Sequence, residues 1–151
     1  MHRVLVNQIM QQAVITIHPG ALAADAAQAM EEFTIRRLPV VDDNGCLVGI
    51  VTDADVLEAD TADRVLNNYE PGAETEWMSV ADVMTREVIT IGPNATVGEL
   101  AILFMQYKIG GVPVVEASPT HCDQRKLVGI VSETDIFRLI ADAWRAEQPQ
   151  P

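Results

Sequence analysis

Cysteine, aromatic side chains and positive charge are all scarce in this sequence of 151 residues. Its two cysteines, Cys46 and Cys122, are too few for a disulfide scaffold and stand in no Cys-x-x-Cys or Cys/His spacing. They read as thiols in a reducing compartment. Lys and Arg number 10 against 22 Asp and Glu, a net charge of −12 at pH 7 that repels phosphate backbones and excludes general nucleic-acid binding. No apolar run approaches the roughly 18 residues needed to span a bilayer, and Met1 to Asn7 carries no signal-peptide core. The chain therefore reads as a soluble cytoplasmic protein with no membrane insertion. It also lacks a nucleophile paired with a base, a P-loop and a Gly-x-Gly-x-x-Gly run after a strand, so no catalytic residue is expected. His18 and His121 have no partner ligands at metal spacing and read as solvated side chains. What is plentiful is apolar residues, 48% of the chain. A chain of this size buries roughly 70% of its unfolded surface without disulfides or metal.

The dominant pattern is a repeat. Met10 to Val41 aligns with Met84 to Val115 at an offset of 74 without a gap. Val14-Ile15-Thr16-Ile17 recurs as Val88-Ile89-Thr90-Ile91, and Pro39-Val40-Val41 as Pro113-Val114-Val115. After an insertion of six residues, Leu47 to Asp55 pairs with Leu127 to Asp135.

Each copy reads as strand, helix, strand, strand, helix. The Val-Ile-Thr-Ile run is a short β-branched strand stopped by Pro19 or Pro93. Leu22, Ala26, Met30 and Phe33, and in the second copy Leu100, Phe104 and Tyr107, make an apolar helical face; Met30 and Met105 read as core. Thr96 and Glu99 form a capping box, whereas Leu22 and Asp25 stand at the equivalent places, so the first helix starts less sharply. Leu38 to Val41 and Leu47 to Val51 flank Asp42-Asp43-Asn44-Gly45, a hairpin turn that becomes a longer loop from Glu116 to Lys126 in the second copy. A last helix follows, carrying Val56 and Leu57 or Ile136, Phe137, Leu139 and Ile140. The expected division is a first unit over 8–58, an acidic linker over 59–81 with a short helix around Asp60 to Tyr69, a second unit over 82–145, and a frayed tail over 146–151. Trp77 to Met84 reads as the lead into the second unit, and Trp77 and Trp144 either pack over helices or meet a partner.

Gly49 to Asp55, Gly-Ile-Val-Thr-Asp-Ala-Asp, and Gly129 to Asp135, Gly-Ile-Val-Ser-Glu-Thr-Asp, each end a strand and open a helix. Thr52 with Asp55, and Ser132 with Asp135, serve as capping boxes. Such a helix start also offers N–H groups and a positive dipole end to a phosphate, with a carboxylate one turn on for a pair of ribose hydroxyls.

With Ile35 to Asp42 and Ile109 to Glu116 before these motifs, the doubled unit resembles a pair of CBS (cystathionine β-synthase) domains, a Bateman module, over about residues 8–145. The resemblance implies an α/β (α+β) fold of two tandem pseudo-symmetric units packed sheet to sheet. It implies a regulatory, energy-sensing module without catalysis, binding AMP, ADP or ATP, with S-adenosylmethionine as a rival ligand. Output goes through an unidentified regulated protein or rearrangement of a homodimer. Carried onto this sequence, one cleft between the copies uses Ser132, Thr134 and Asp135 with Val14 and Ile15 beside the base and Arg36 and Arg37 on the phosphate. The other uses Thr52 and Asp55 with Val88 and Ile89, but Ala54 stands for Thr134, and Gly110 and Gly111 for the arginines. The Asp135 cleft is therefore the expected phosphate binder. Ala54 and Thr134 also stand where many members carry an Arg, which counts against polyphosphates. The alternative is empty clefts, with the module acting as an oligomerisation or docking surface.

Overall fold

The computed structural model describes residues 2–59, 78–117 and 125–149. Helices and two small antiparallel sheets alternate: α1 (Val6–Ile9), α2 (Ala23–Glu32), β1 (Arg37–Val41), β2 (Leu47–Thr52), α3 (53–59), α4 (Val80–Val83), α5 (Val97–Tyr107), β3 (Gly111–Glu116), β4 (Lys126–Ser132) and α6 (Glu133–Glu147). β1 pairs with β2 and β3 with β4, each hairpin slipping by one residue at equivalent places, Val40/Val41 and Val114/Val115. In the first hairpin the turn closes as the Asn-Gly pair predicts. Gly45 takes φ 78°, a left-handed conformation that favours glycine, while the Asp42 carboxylate accepts the N–H groups of Asn44 and Cys46. The second copy's loop and the linker helix expected around 60–69 lie outside the described residues.

The expected Val-Ile-Thr-Ile strands shrink to single residues. Ile17 donates to Pro39 and accepts from Val41, a parallel bridge to β1, and Ile91 does the same with Pro113 and Val115. Only the last residue of each run meets a partner strand. Helix α5 opens on the predicted capping box, Thr96 Oγ1 accepting from Glu99 N and the Glu99 carboxylate from Thr96 N. At α2 only the return bond exists, from Leu22 N to the Asp25 carboxylate, because leucine has no acceptor.

Two compact units form, and they cut across the repeat: one is Ile15–Val88, the other joins Met1–Val14 to Ile89–Pro119 and Asp123–Pro151. In the second-copy unit, Val6 from α1 is buried with Ile91, Leu100, Phe104, Val112, Val114 and Val131. In the first-copy unit, Val80 from α4 is buried with Ala26, Met30, Leu38, Val40 and Val51. The segment before each copy thus packs on the other copy's core. Of the stretch Trp77 to Met84, read as the lead into the second unit, the described part from Met78 packs in the first-copy unit. Backbone bonds fix both segments. Val6 N donates to Ala95 and Val97 N to Val4, at 2.8 and 2.7 Å, as Val80 N donates to Ala21 and Ala23 N to Met78, both at 2.7 Å.

Three expectations are corrected. Met105 is 79% exposed, because the buried stripe of α5 runs through Val97, Leu100 and Phe104 and leaves Met105 and Ile102 on the outer side. Phe33 and Tyr107, placed on the apolar faces, are each half exposed because both stand at the ends of their helices, beyond the buried turns. Cys46 is buried beside the turn and disulfide-bonded, so the reading of a free thiol fails there; Cys122 lies outside the described residues.

The crossing of each lead-in segment explains a glycine in the repeated motif. A Cβ on Gly129 would stand 2.6 Å from Met10 Sδ and 3.1 Å from Gln11 O, and one on Gly49 would stand 2.6 Å from Met84 Sδ and 3.0 Å from Thr85 O. The methionine ends can shift, but the carbonyls belong to fixed backbone. Gly129→Ala and Gly49→Ala are each expected to destabilise their unit by about 2 kcal/mol, read as a lower midpoint in urea unfolding.

Candidate functional site

The two helix starts lie at the ends of β2 and β4, where the strand runs directly into a helix and its last residue becomes the N-cap. In the first copy the arrangement is closed. Thr52 Oγ1 accepts from Asp55 N at 3.1 Å, the Asp55 carboxylate accepts from Thr52 N at 3.0 Å, and Ala54 N donates to Asp53 Oδ1 at 2.8 Å. The first turn of α3 spends its donors on its own side chains and on Arg36 O.

The second copy departs from this pattern. The Ser132 hydroxyl caps no N–H of α6 and instead donates to Asp135 Oδ2 at 3.3 Å, alongside Ser132 N at 2.9 Å. Among the described residues no side chain caps the first turn of α6, whose N–H groups carry the positive end of the helix dipole. Asp135 is 5% exposed and is the only buried charged residue among the described residues. Its Oδ1 accepts from Gln11 Nε2 at 3.0 Å and from Arg138 Nη1 at 3.3 Å. Burying a carboxylate is tolerated where it is hydrogen-bonded and paired, as here.

Gln11 and Arg138 were not among the residues picked from sequence. Arg138 is one helical turn from Asp135, a local signal, whereas Gln11 lies 124 residues away and reaches it through the lead-in crossing. The repeat places Thr85 and Glu58 at their equivalents in the first copy. Among the described residues neither bonds to Asp55, and Asp55 Oδ1 takes no hydrogen bond.

Of the expected site residues, Ser132, Thr134, Asp135, Val14 and Ile89 fall in the second-copy unit, and Arg36, Arg37, Thr52, Asp55, Ile15 and Val88 in the first-copy unit. Val14 and Ile15, and again Val88 and Ile89, stand on either side of the points where the chain passes between units. Ser132 and Asp135 are in direct contact, and Thr134 is exposed one residue away. Within its own unit Arg37 sits opposite Thr52 in the ladder, and Arg36 O accepts from Asp53 N at 3.0 Å. In the second-copy unit Gly111 sits opposite Ser132, and Gly110 O accepts from Glu133 N at 3.0 Å. His18, expected to be solvated, is half exposed, with Nε2 3.1 Å from Asp43 Oδ1 and Nδ1 accepting from Gly20 N. No helix among the described residues is long and apolar enough to cross a membrane.

A family model, CBS domain, matches residues 6–62 and 80–142. L-aspartate semialdehyde sulfurtransferase of Methanocaldococcus jannaschii is 35% identical over 135 residues, which is 89% of this chain and 23% of that enzyme. The chain spans about a quarter of the length of the first curated relatives it matches. Among solved structures, the CBS domain pair of protein MJ0100, in complex with 5′-methylthioadenosine and S-adenosyl-L-methionine, is 34% identical with a TM-score of 0.70, covering 93% of this chain and 98% of that one. CBSX2 in complex with AMP is 26% identical with a TM-score of 0.76, covering 94% of this chain and 99% of that one.

The unequal surroundings of the two carboxylates set unequal costs for removing them. Asp135→Ala strips a charged acceptor from Gln11, Arg138 and the Ser132 N–H and is expected to destabilise by about 2 kcal/mol, against about 1 kcal/mol for Asp55→Ala, which loses one cap. Urea unfolding of the two variants beside the parent chain measures both.

Proposed function

Because the chain belongs to the CBS-domain family, we propose that it is a regulatory module binding an adenosine nucleotide, AMP or ADP, at the start of α6. The observation that carries this reading is the Asp135 carboxylate, buried at the mouth of a helix whose first turn no side chain among the described residues caps. A carboxylate there accepts the paired hydroxyls of a ribose, and the open helix start favours negative charge. The matching start of α3 is closed by its own side chains and offers less. Ser132 and Thr134 add hydroxyls beside the ribose and phosphate, and Val14 and Ile15 flank the base. Arg36 and Arg37 take the phosphate, the role that the family resemblance gives to residues of the other copy. In a chain of net charge −12, local guanidiniums are what makes a dianionic phosphate acceptable. Two similar CBS pairs have adenosine compounds as ligands, AMP in one and 5′-methylthioadenosine with S-adenosyl-L-methionine in the other, which supports the adenosine class.

Binding biases the arrangement of the two copies by the ligand's differential affinity for each arrangement. That bias passes to a regulated protein or through a homodimer, and the module itself carries out no chemistry.

A second reading has specific support. The register that sets Arg37 opposite Thr52 puts both arginines beside the α3 start of their own unit, so they serve a phosphate at Asp55 instead. S-adenosylmethionine is the competing ligand at Asp135, since it uses the same ribose contacts without a phosphate.

Calorimetric titration of the Arg36→Ala/Arg37→Ala double variant with AMP and S-adenosylmethionine separates these. AMP affinity is expected to fall at least about tenfold while S-adenosylmethionine affinity stays within about twofold. Equal losses for both ligands would remove the arginines from phosphate recognition. Loss of AMP in Asp55→Ala with retention in Asp135→Ala would favour the second reading.

A further inference from the structure

Asp135 has every acceptor position of its carboxylate occupied before any ligand arrives. Two oxygens offer about four lone-pair positions, and four donors fill them: Ser132 N and Oγ on Oδ2, Gln11 Nε2 and Arg138 Nη1 on Oδ1. A ribose brings two further hydroxyl donors, so donors already present must give way. Ser132 N is backbone at the helix start and stays. Arg138, with its side chain 58% exposed and its contact at 3.3 Å, swings into solvent at little cost. Gln11 is different. Its backbone is held by two hydrogen bonds to Ile130, N to O at 2.8 Å and O from N at 3.0 Å, so its carboxamide stays within reach of Asp135 whatever else binds.

Resting on the reading that Asp135 holds a ribose, we propose that Gln11 is a specificity-determining residue which lowers the preference for ribose over deoxyribose at this site. With a full diol bound, the hydroxyls replace Arg138 and the Gln11 carboxamide on the carboxylate. With one hydroxyl missing only one donor has to leave, and Gln11, tethered by its backbone, keeps its bond more readily than the solvent-facing Arg138, so the buried acceptor is not left unpaired. An unpaired buried acceptor is what normally makes a site reject the analogue that lacks a hydroxyl. Gln11 supplies that missing donor from the protein. The first copy has no such device, because Thr85 and Glu58 stand at the places of Gln11 and Arg138 and among the described residues Asp55 Oδ1 takes no hydrogen bond.

The test is calorimetric titration of the full chain, Gln11→Ala and Gln11→Met with AMP and its 2′-deoxy and 3′-deoxy forms, with 5′-methylthioadenosine as a second ribose probe. Gln11→Met keeps the side-chain length without a donor and decides the matter if Gln11→Ala fails to fold. Both variants are expected to keep measurable AMP binding, so that the ratio is defined. They are expected to widen the AMP-to-deoxy affinity ratio about fivefold for at least one deoxy form. An unchanged ratio in a folded variant that binds AMP overturns the role of Gln11 while leaving the ribose reading intact. AMP binding that survives Asp135→Ala overturns it too, by removing the ligand from this carboxylate. If the parent chain binds neither AMP nor 5′-methylthioadenosine, the adenosine reading itself fails and the role of Gln11 falls with it.

Discussion

The pair of backbone hydrogen bonds between Gln11 and Ile130 is the constraint from which the second-copy unit takes its form. It clamps the lead-in segment across β4, and the clamp works only because Gly129 has no side chain where Met10 and Gln11 pass. Once the crossing is fixed, Val6 is delivered to the core beside Leu100 and Val131, and the Gln11 side chain is delivered to Asp135. One local contact thus joins packing to the chemistry of the helix start. The equivalent clamp between Thr85 and Ile50, over Gly49, builds the first-copy unit in the same way but brings a threonine to that position.

Two copies of one backbone plan therefore carry different chemistry at the same place. In the first, a threonine hydroxyl and two aspartates satisfy the helix start internally. In the second, the serine hydroxyl turns to the carboxylate, no side chain among the described residues caps the first turn, and Asp135 is buried under donors from Gln11, Ser132 and Arg138. The difference accompanies a few substitutions, Ser132 for Thr52, Glu133 for Asp53, Arg138 for Glu58 and Gln11 for Thr85, on the same strand register. A duplicated scaffold that keeps its core and varies the ends of its strands has one site free to specialise.

Much of this was legible in the sequence wherever the determining residues are neighbours. The Asn44-Gly45 turn, the Thr96 and Glu99 box and the paired Gly-Ile-Val motifs specify local geometry through contacts a few residues apart, and the structure carries the turn and the box as read. The CBS family was legible because the same motifs occur twice in the same order. The exchange of lead-in segments was not, since α1 and α4 have four residues each, too few to show a period, and their partners lie far along the chain. Gln11 was missed for the same reason, with 124 residues between it and Asp135. Met105 was misplaced because α5 is apolar nearly all round, so periodicity alone did not decide which stripe faces inward. The Val-Ile-Thr-Ile run, read as a strand, pairs only at its last residue, because how much of it pairs depends on the partner strand and not on its own β-branched composition.

The central claim, that the start of α6 is a ribose-binding site, is tested most directly by a crystal structure of the chain grown with AMP. The account predicts adenosine density in which both ribose hydroxyls lie within hydrogen-bonding distance of the Asp135 carboxylate, with Gln11 turned away from it. Density confined to the Asp55 helix start, or an Asp135 carboxylate still bonded to Gln11 and Arg138 under saturating AMP, would contradict it.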